Sequence, residues 1–374
     1  MDRLQTQAGP MRLQLHGDHR TMGQQHGVQV KRLRPLIDEA IEARLDEIGK
    51  VGYDAQFEAL VGRTREALME HSPATLDFIR GQAQALAYEF EDLLRYDLVS
   101  YLLDDLRTRR AAGAEGCTSW AATGSATADG RPILAKNRDY RLEHLPLQVV
   151  SHVEPSAGHR YVCVGSAGSP PVYCGGINEA GLAIADTHVV SSAIGPGLPD
   201  YALMMHLLEH HRAVSSAVDY LRSVPRLGRN NLILADAHGE VAVFESGHCG
   251  YGLFSSTDGA LVTTNHPISP ALRRHFMDLN PPVVKGNSFH RYDRVSEALS
   301  AAHGQIDVAF ARRLMTTHDG PLASLCRHPM EGCDSATIAS CMFVPAERTM
   351  HLCHGLPCQG TVESFVCSQD GEEL

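Results

Sequence analysis

The periodicity of the apolar residues changes at Cys117, and that change decides the fold class. Upstream, Leu33, Leu36, Ile37, Ala40, Ile41, Leu45 and Ile48 recur at three- and four-residue spacing with charges between them, which predicts an amphipathic helix with one face on a core. Ser72-Pro73 supplies an N-cap and a proline at the first helical position, opening a further helix to about residue 90. Downstream of Cys117 the texture is short strand-like runs: 118–122, 132–136 after the Asp129-Gly130 turn, 149–153, 161–165 and 182–189. A helical stretch over 200–223 follows, then strands at 232–236, 241–245 and 261–264, helices at 289–303 and 307–317, and closing strands at 337–344 and 350–352. Strands and helices come in runs without regular βαβ alternation, which favours a layered α+β architecture over a doubly wound parallel sheet. Between the two textures, residues 107–116 are small and polar and read as an exposed connector.

With 374 residues, 43% of them hydrophobic and 21% charged, the chain can bury a large core and has none of the composition of a disordered protein. Its net charge of -11 with scattered basic residues argues against nucleic acid or an anionic membrane as partner and leaves a small molecule. No run reaches the roughly 20 apolar residues of a membrane span. The ten cysteines stand singly, without a C-x-x-C pair, so the expectation is a cytoplasmic protein with mostly reduced thiols.

In Gly116-Cys117-Thr118-Ser119-Trp120 a small residue and a cysteine stand where the connector ends and a strand begins. Free cysteine is usually a buried hydrophobe, but a cut before Cys117 would give it both a thiol and an α-amine with a pKa of about 7.7 to 8.0, suited to act as general base. The thiol could make that cut itself by attacking the Gly116 carbonyl, where glycine leaves the approach open. Further polar clusters follow at strand ends: Lys136-Asn137-Arg138-Asp139-Tyr140, Gly176-Ile177-Asn178-Glu179-Ala180-Gly181, Thr264-Asn265-His266-Pro267 and Ser288-Phe289-His290-Arg291-Tyr292.

In this order the clusters resemble the acyl-coenzyme A:isopenicillin N acyltransferase-like proteins, peptidase family C45, relatives of the choloylglycine hydrolases and acid ceramidase. The resemblance runs from Cys117 to about residue 365, with an echo in Gly23-Gln24-Gln25-His26-Gly27 and in the stretch from Thr317-His318-Asp319-Gly320 to Ser324-Leu325-Cys326-Arg327-His328. It implies a four-layer αββα sandwich of N-terminal nucleophile (Ntn) type and self-cleavage between Gly116 and Cys117. Residues 1–116 would form a helical alpha chain and 117–374 a catalytic beta chain, the two remaining together as a heterodimer. Cys117 is then the nucleophile, Asp139 orients its amine or thiol, and Asn265 and Asn178 supply the oxyanion hole. Lys136, Arg138, Arg291 and His266 are the residues expected toward substrate. Choloylglycine hydrolases carry arginine where Lys136 stands and the penicillin branch glutamine. Lysine lacks the bidentate fork of arginine, so neither bile-acid-type nor penicillin-type substrates follow.

The expected activity is hydrolysis of a small N-acyl amide through a Cys117 thioester, without cofactor or metal. The alternative is transfer of the acyl group from acyl-CoA to a small amine. A rival motif is His206-Leu207-Leu208-Glu209-His210, an H-x-x-E-H pattern that on a helix would offer two zinc ligands and a base. No third ligand motif accompanies it. G-x-S-x-G and Walker-type phosphate motifs are absent from the sequence.

Overall fold

The strand-like segments after residue 117 assemble into two stacked sheets, each covered on its outer face by helices. The computed structural model describes residues 9–51, 55–107, 116–280, 282–331 and 335–367. The first part carries β1 (Met11–Gly17), α1 (His19–Gln29), α2 (Arg34–Val51), α3 (Ala55–His71), α4 (Pro73–Leu86) and α5 (Phe90–Arg107). Next come β2 (Gly116–Gly124), β3 (Gly130–Arg141), β4 (Gln148–Pro155), β5 (Tyr161–Ser166), β6 (Gly175–Asn178) and β7 (Ala183–His188). Helices α6 (Asp200–His210) and α7 (Val214–Ser223) lead to β8 (Asn230–Ala235), β9 (Val241–Gly247), β10 (Gly250–Ser256) and β11 (Gly259–Thr263). The chain continues through α8 (Pro270–Arg273), α9 (Asn287–Ala301), α10 (Val308–Met315) and α11 (Gly320–Ala323) to β12 (Ser335–Val344), β13 (Thr349–His354) and β14 (Val362–Val366).

One sheet has eight strands in the order β1-β4-β5-β6-β7-β8-β9-β10, the other six in the order β11-β2-β3-β12-β13-β14. Alternation along single strands sets the layers. Leu232 and Leu234 of β8 pack with Tyr201, Leu203 and Leu207 of α6, whereas Ile233 and Ala235 face the other sheet with Ala121, Leu134, Cys341 and Phe343. Across the second sheet, Trp120, Ile133 and Met342 pack under Val295 and Leu299 of α9 and Ala311 and Leu314 of α10. The result is an αββα sandwich with a mainly helical N-terminal part, as the sequence led one to expect. No helix among the described residues is long and apolar enough to cross a membrane.

The departures from the sequence reading have local causes. Strand β1 pairs in parallel with β4, a partner far along the chain, and only Leu13 and Leu15 mark its buried face. The helix expected over 200–223 breaks at His211, and α7 restarts where the Asp236 carboxylate accepts the Val214 N–H at 2.7 Å. The α4 helix starts after Ser72, as its sequence predicts, but the Ser72 hydroxyl bonds that of Thr75 at 2.8 Å, and the helix stops at Ala87 in the left-handed region (φ 56°). Of the connector expected at 107–116, residues 108–115 lie outside the described residues. Gly116 itself is buried at the start of β2, paired across from Asp139, so this end of the segment is strand and not exposed loop.

The Gly23 to Gly27 motif has a packing explanation. Helices α1 and α4 cross so closely that a Cβ on Gly23 would overlap the Phe78 carbonyl oxygen and one on Gly81 the Arg20 carbonyl oxygen. By contrast a Cβ on Gly62 in α3 meets nothing within 4 Å. Gly23→Ala is expected to destabilise by about 1–3 kcal/mol or more through overpacking, while Gly62→Ala stabilises by up to about 1 kcal/mol through helix propensity. Urea unfolding of the two variants beside the wild type checks this; equal effects would contradict the close crossing.

Candidate active site around Cys117

Strand β2 places adjacent residues on opposite faces of the six-stranded sheet. Cys117 and Ser119 lie on the face that carries Ala121 into the space between the sheets. Gly116 and Thr118 share the face of Trp120 under the α9–α10 layer. On β3 the register pairs Cys117 with Arg138, Ser119 with Lys136 and Gly116 with Asp139. Arg138 and Lys136 therefore share the inner face with the Cys117 thiol, and Asp139 lies across from Gly116 on the outer one.

Strand β11 runs antiparallel to β2 with Thr263 opposite Ser119, so two residues further Asn265 comes level with Cys117. The turn is held by Thr187, whose hydroxyl donates to the Thr264 carbonyl at 2.8 Å, and by the Asn231 amide on Thr263 and on the Thr264 and His266 carbonyls. Asn265 Oδ1 accepts the Cys117 backbone N–H at 2.8 Å and Arg291 Nη2 at 2.7 Å, and its Nδ2 donates to the His188 carbonyl at 2.8 Å. Two donors at one atom and an acceptor at the other leave a single orientation of the amide.

Arg291 of α9 is fully buried. Nη1 donates to the Cys117 carbonyl at 2.5 Å and to the Thr118 hydroxyl at 2.8 Å, and Nη2 also reaches Asn287 Oδ1 at 2.9 Å. Burial pulls its guanidinium down to about 10 against the opposing charge of Asp139, so it stays cationic at neutral pH. With both terminal nitrogens engaged on the protein, Arg291, expected toward substrate, is here a clamp on the strand that carries Cys117.

Asp139 is buried, and burial raises its carboxyl above the usual range although Arg327 and Arg291 oppose the shift. Its Oδ1 accepts from the Thr337 hydroxyl at 2.6 Å, and its Oδ2 lies 3.6 Å from Arg327 Nη1. Gly116 is wedged against this pair: a Cβ there would overlap Arg327 Nη1 and come within 3.0 Å of Asp139 Oδ2. Asp139 thus borders the Gly116 side of the peptide and not the thiol.

Burial pushes the Cys117 thiol up to about 11, with Lys136 pulling it down and Asp186 and Asp139 pushing it further up. In the unbroken chain it is therefore protonated at neutral pH. Lys136, 1% exposed, donates to both the carbonyl and the carboxylate of Asp186. Burial works against its ammonium, but Asp186 and the neighbouring thiols outweigh it and hold the group charged.

The other expected residues lie differently. Asn178 closes the turn between β6 and β7: its Nδ2 donates to the Leu208 and His211 carbonyls and its Oδ1 accepts from Ala180 and Leu182 N–H. All of its amide capacity goes to backbone groups, so it brings no donor to Cys117, contrary to the expected oxyanion contact. His266 is buried, within 2.7 Å of the Ser288 hydroxyl through Nδ1 and 4.1 Å from the Phe289 ring centroid. Burial lowers its pKa to about 4, so His266, expected toward substrate, is a neutral ring packed among aromatic side chains. Within His206-Leu207-Leu208-Glu209-His210 the His206 and His210 ring centroids lie 4.5 Å apart and Glu209 is 3.9 Å from His210 Nε2, but the acid has closer partners. Glu209 takes His19 Nε2 at 3.0 Å and the Tyr161 hydroxyl at 3.2 Å, and His206 stacks on Tyr220 at 3.8 Å, so the side chains of the pattern are engaged within the protein.

Asp186, Arg327, Thr337 and Asn287 join the site without having been singled out as site residues. Arg327 stood within the late Cys326-Arg327-His328 pattern, which was the available signal; Asp186 carried none.

Residues 125–359 match the family described as acyl-coenzyme A:6-aminopenicillanic acid acyl-transferase. The chain belongs to this family. Membership gives it the Ntn-hydrolase and acyltransferase type of chemistry on small acyl or amide substrates. The match begins downstream of Cys117 and ends before residue 365, narrower at both ends than the sequence resemblance. No curated protein matches the chain. Among solved structures, two variants of the conjugated bile acid hydrolase from Clostridium perfringens superpose with a TM-score of 0.47 each, at 12% and 14% identity, covering 69% of this chain and 99% and 100% of theirs. Penicillin V acylase from Agrobacterium tumefaciens gives a TM-score of 0.45 at 17% identity, covering 68% of this chain and 88% of its own.

The Lys136 pair yields a stability prediction. Lys136→Met leaves the Asp186 carboxylate buried and unpaired and is expected to cost about 3–5 kcal/mol, whereas Lys136→Met with Asp186→Leu recovers most of that loss. Denaturant unfolding of the single and double variants decides; a single variant as stable as the wild type would contradict a buried pair.

Proposed function

We propose that the chain is a cysteine amidohydrolase that cuts itself between Gly116 and Cys117 and then hydrolyses a small N-acyl amide through a thioester on Cys117. The observation that carries this reading is the grip on the two peptide groups that flank the Cys117 Cα. The Cys117 N–H is held by Asn265 and its carbonyl by Arg291, while Asp139 and Arg327 enclose Gly116. Because Gly116 and Cys117 are buried, a second protease cannot easily reach the bond, which favours cleavage by the neighbouring thiol.

In the first step the thiol sulfur adds to the Gly116 carbonyl, the C–N bond breaks and the nitrogen takes up the thiol proton. Residues up to Gly116 are then joined to Cys117 as a thioester. Water cleaves the thioester, leaving a Gly116 carboxylate and a free Cys117 α-amine. That amine, held by Asn265 Oδ1, is the general base of turnover, with a pKa of about 7.7 to 8.0 before its neighbours act on it. It accepts the thiol proton as sulfur adds to the substrate carbonyl and passes it to the leaving amine; water then releases the acid. An amide NH2 has two N–H bonds, and the one on Asn265 not directed to His188 is the oxyanion donor in this scheme, a contribution of about 3–4 kcal/mol for such a donor. Residues 1–116 and 117–374 remain together because β1 is a strand of the eight-stranded sheet.

Arg138 defines what the substrate carries. It is 5% exposed, on the thiol's face, and its Nη1 has no hydrogen-bond partner among the described residues. It lines a narrow cleft with Arg44, Tyr96, Tyr140, His144 and Tyr173. Burial, then Arg44, Arg138 and Arg141, push the His144 ring well below its usual range. The charge of Asp97 also acts on Tyr96 and Tyr173, and burial raises its own carboxyl well above the ordinary value. Buried polar groups are normally paired, and a carboxylate on the substrate would pair with Arg138.

The test compares an N-acyl amino acid with the matching N-acyl amine that lacks the carboxylate. The carboxylate substrate is expected to be hydrolysed faster, and Arg138→Leu to lower its kcat/KM at least about tenfold, equivalent to 1.4 kcal/mol, with little effect on the neutral one. Cys117→Ala should abolish both reactions. Equal turnover of the two amides by the wild type would sink the anionic preference, and product formed only when acyl-CoA and an amine are supplied would replace hydrolysis by transfer.

A further inference from the structure

Away from the thiol, four metal-ligating side chains converge where the segments on either side of α11 meet the turn before β14. His318, Cys326, His328 and Cys358 each bring one nitrogen or sulfur, and these four atoms lie within 4.8 Å of one another. His318 Nε2 is 3.2 Å from His328 Nε2, and His328 Nε2 is 3.3 Å from Cys358 Sγ. A ring nitrogen carries either one N–H or one lone pair. His328 Nε2 therefore cannot satisfy both of its neighbours by hydrogen bonding. A cation among the four donors removes the conflict. With metal–nitrogen distances of about 2.0–2.1 Å and metal–sulfur distances of about 2.3 Å, the edges of a tetrahedron come to roughly 3.3–3.8 Å, close to the His318–His328 and His328–Cys358 separations, and a bound cation would draw any wider pair among the four, all within 4.8 Å, inward.

We propose that His318, Cys326, His328 and Cys358 form a tetrahedral zinc site of structural type. Two nitrogens and two sulfurs in a closed set of four are what zinc takes in such sites. A catalytic site would keep a position open for water, and here four protein donors fill the sphere. The site is independent of the His206/Glu209/His210 pattern and of the chemistry at Cys117, but it has a place beside the latter. Cys326 and His328 flank Arg327, whose backbone N–H donates to the Thr337 hydroxyl at 2.8 Å, whose carbonyl accepts from Thr337 N–H at 2.9 Å, and whose guanidinium faces Asp139 and Gly116. A metal bound on both sides of Arg327 fixes the residue that bounds the proposed scissile glycine.

The experiment is metal analysis of the full chain purified without chelator from zinc-containing medium, beside His318→Ala and Cys358→Ser. His318 and Cys358 are exposed, so neither change removes core packing, and circular dichroism verifies that both variants are folded. About one zinc per wild-type chain, at least tenfold less in either folded variant, and a thermal midpoint that falls on chelation in the wild type alone are expected of a structural site. Replacement by cobalt should give the visible absorption of tetrahedral coordination with thiolate-to-metal charge transfer. Trace zinc in the wild type after supplementation, equal zinc in wild type and variants, or a wild type lighter by two hydrogens from a Cys326–Cys358 disulfide would each overturn the assignment.

Discussion

The buried Arg291 guanidinium is the contact on which the rest of the site depends. It ties the Cys117 carbonyl, the Thr118 hydroxyl, Asn265 and Asn287 into one network, and so joins β2, the turn after β11 and helix α9. A charge taken out of water in this way is tolerable because its terminal nitrogens find four oxygen partners. Lysine at this position would supply a point charge without the planar fork that reaches two sides at once. Once Arg291 fixes the carbonyl and Asn265 the N–H, the backbone of Cys117 is held on both sides of its Cα.

The alternation of strands then divides the labour. Arg138 and Asp139 are neighbours in sequence, yet they lie on opposite faces of the sheet, the first toward the thiol and the cleft it shares with Arg44 and Tyr96, the second toward Gly116. Lys136, two residues back, shares the inner face and with Asp186 sets the charge around the sulfur. In the unbroken chain the thiol is held protonated by burial, a resting state that requires a base. The account supplies that base only after cleavage, as the α-amine of the same residue. On the proposed order of events the thiol first attacks the adjoining Gly116 carbonyl, and turnover on other amides follows the release of the amine by that cut.

The layered α+β class was legible from the change of periodicity at Cys117, because sheets buried on both faces and helices buried on one leave different patterns. Strands β10 and β14 were not legible: both lie at the edge of a sheet, where burial is half complete and the alternation weak, as in Leu253 and Val366, which are exposed. Strand β1 was hidden for another reason, since its partner β4 lies more than a hundred residues away in the chain and local propensity says nothing about it. At the site, sequence brought forward the residues that stand in polar clusters, Asp139 and Asn265 on or after strands and Arg291 in helix α9 among them. It could not say which way each side chain points. Asn178 and His266 sit in equally polar clusters, but a turn absorbs one and an aromatic stack the other. Asp186 escaped notice because a single aspartate at the end of an apolar strand has no distinguishing context until Lys136 is seen against it.

The most direct test of the account is the intact mass and N-terminal sequence of the purified protein under denaturing conditions, beside Cys117→Ala. The account predicts two wild-type species, near one third and two thirds of 40.7 kDa, the larger beginning at Cys117, and a single uncut chain for the variant. A wild type that remains one 40.7 kDa chain while hydrolysing amides, or a Cys117→Ala variant cut at the same bond, would contradict it.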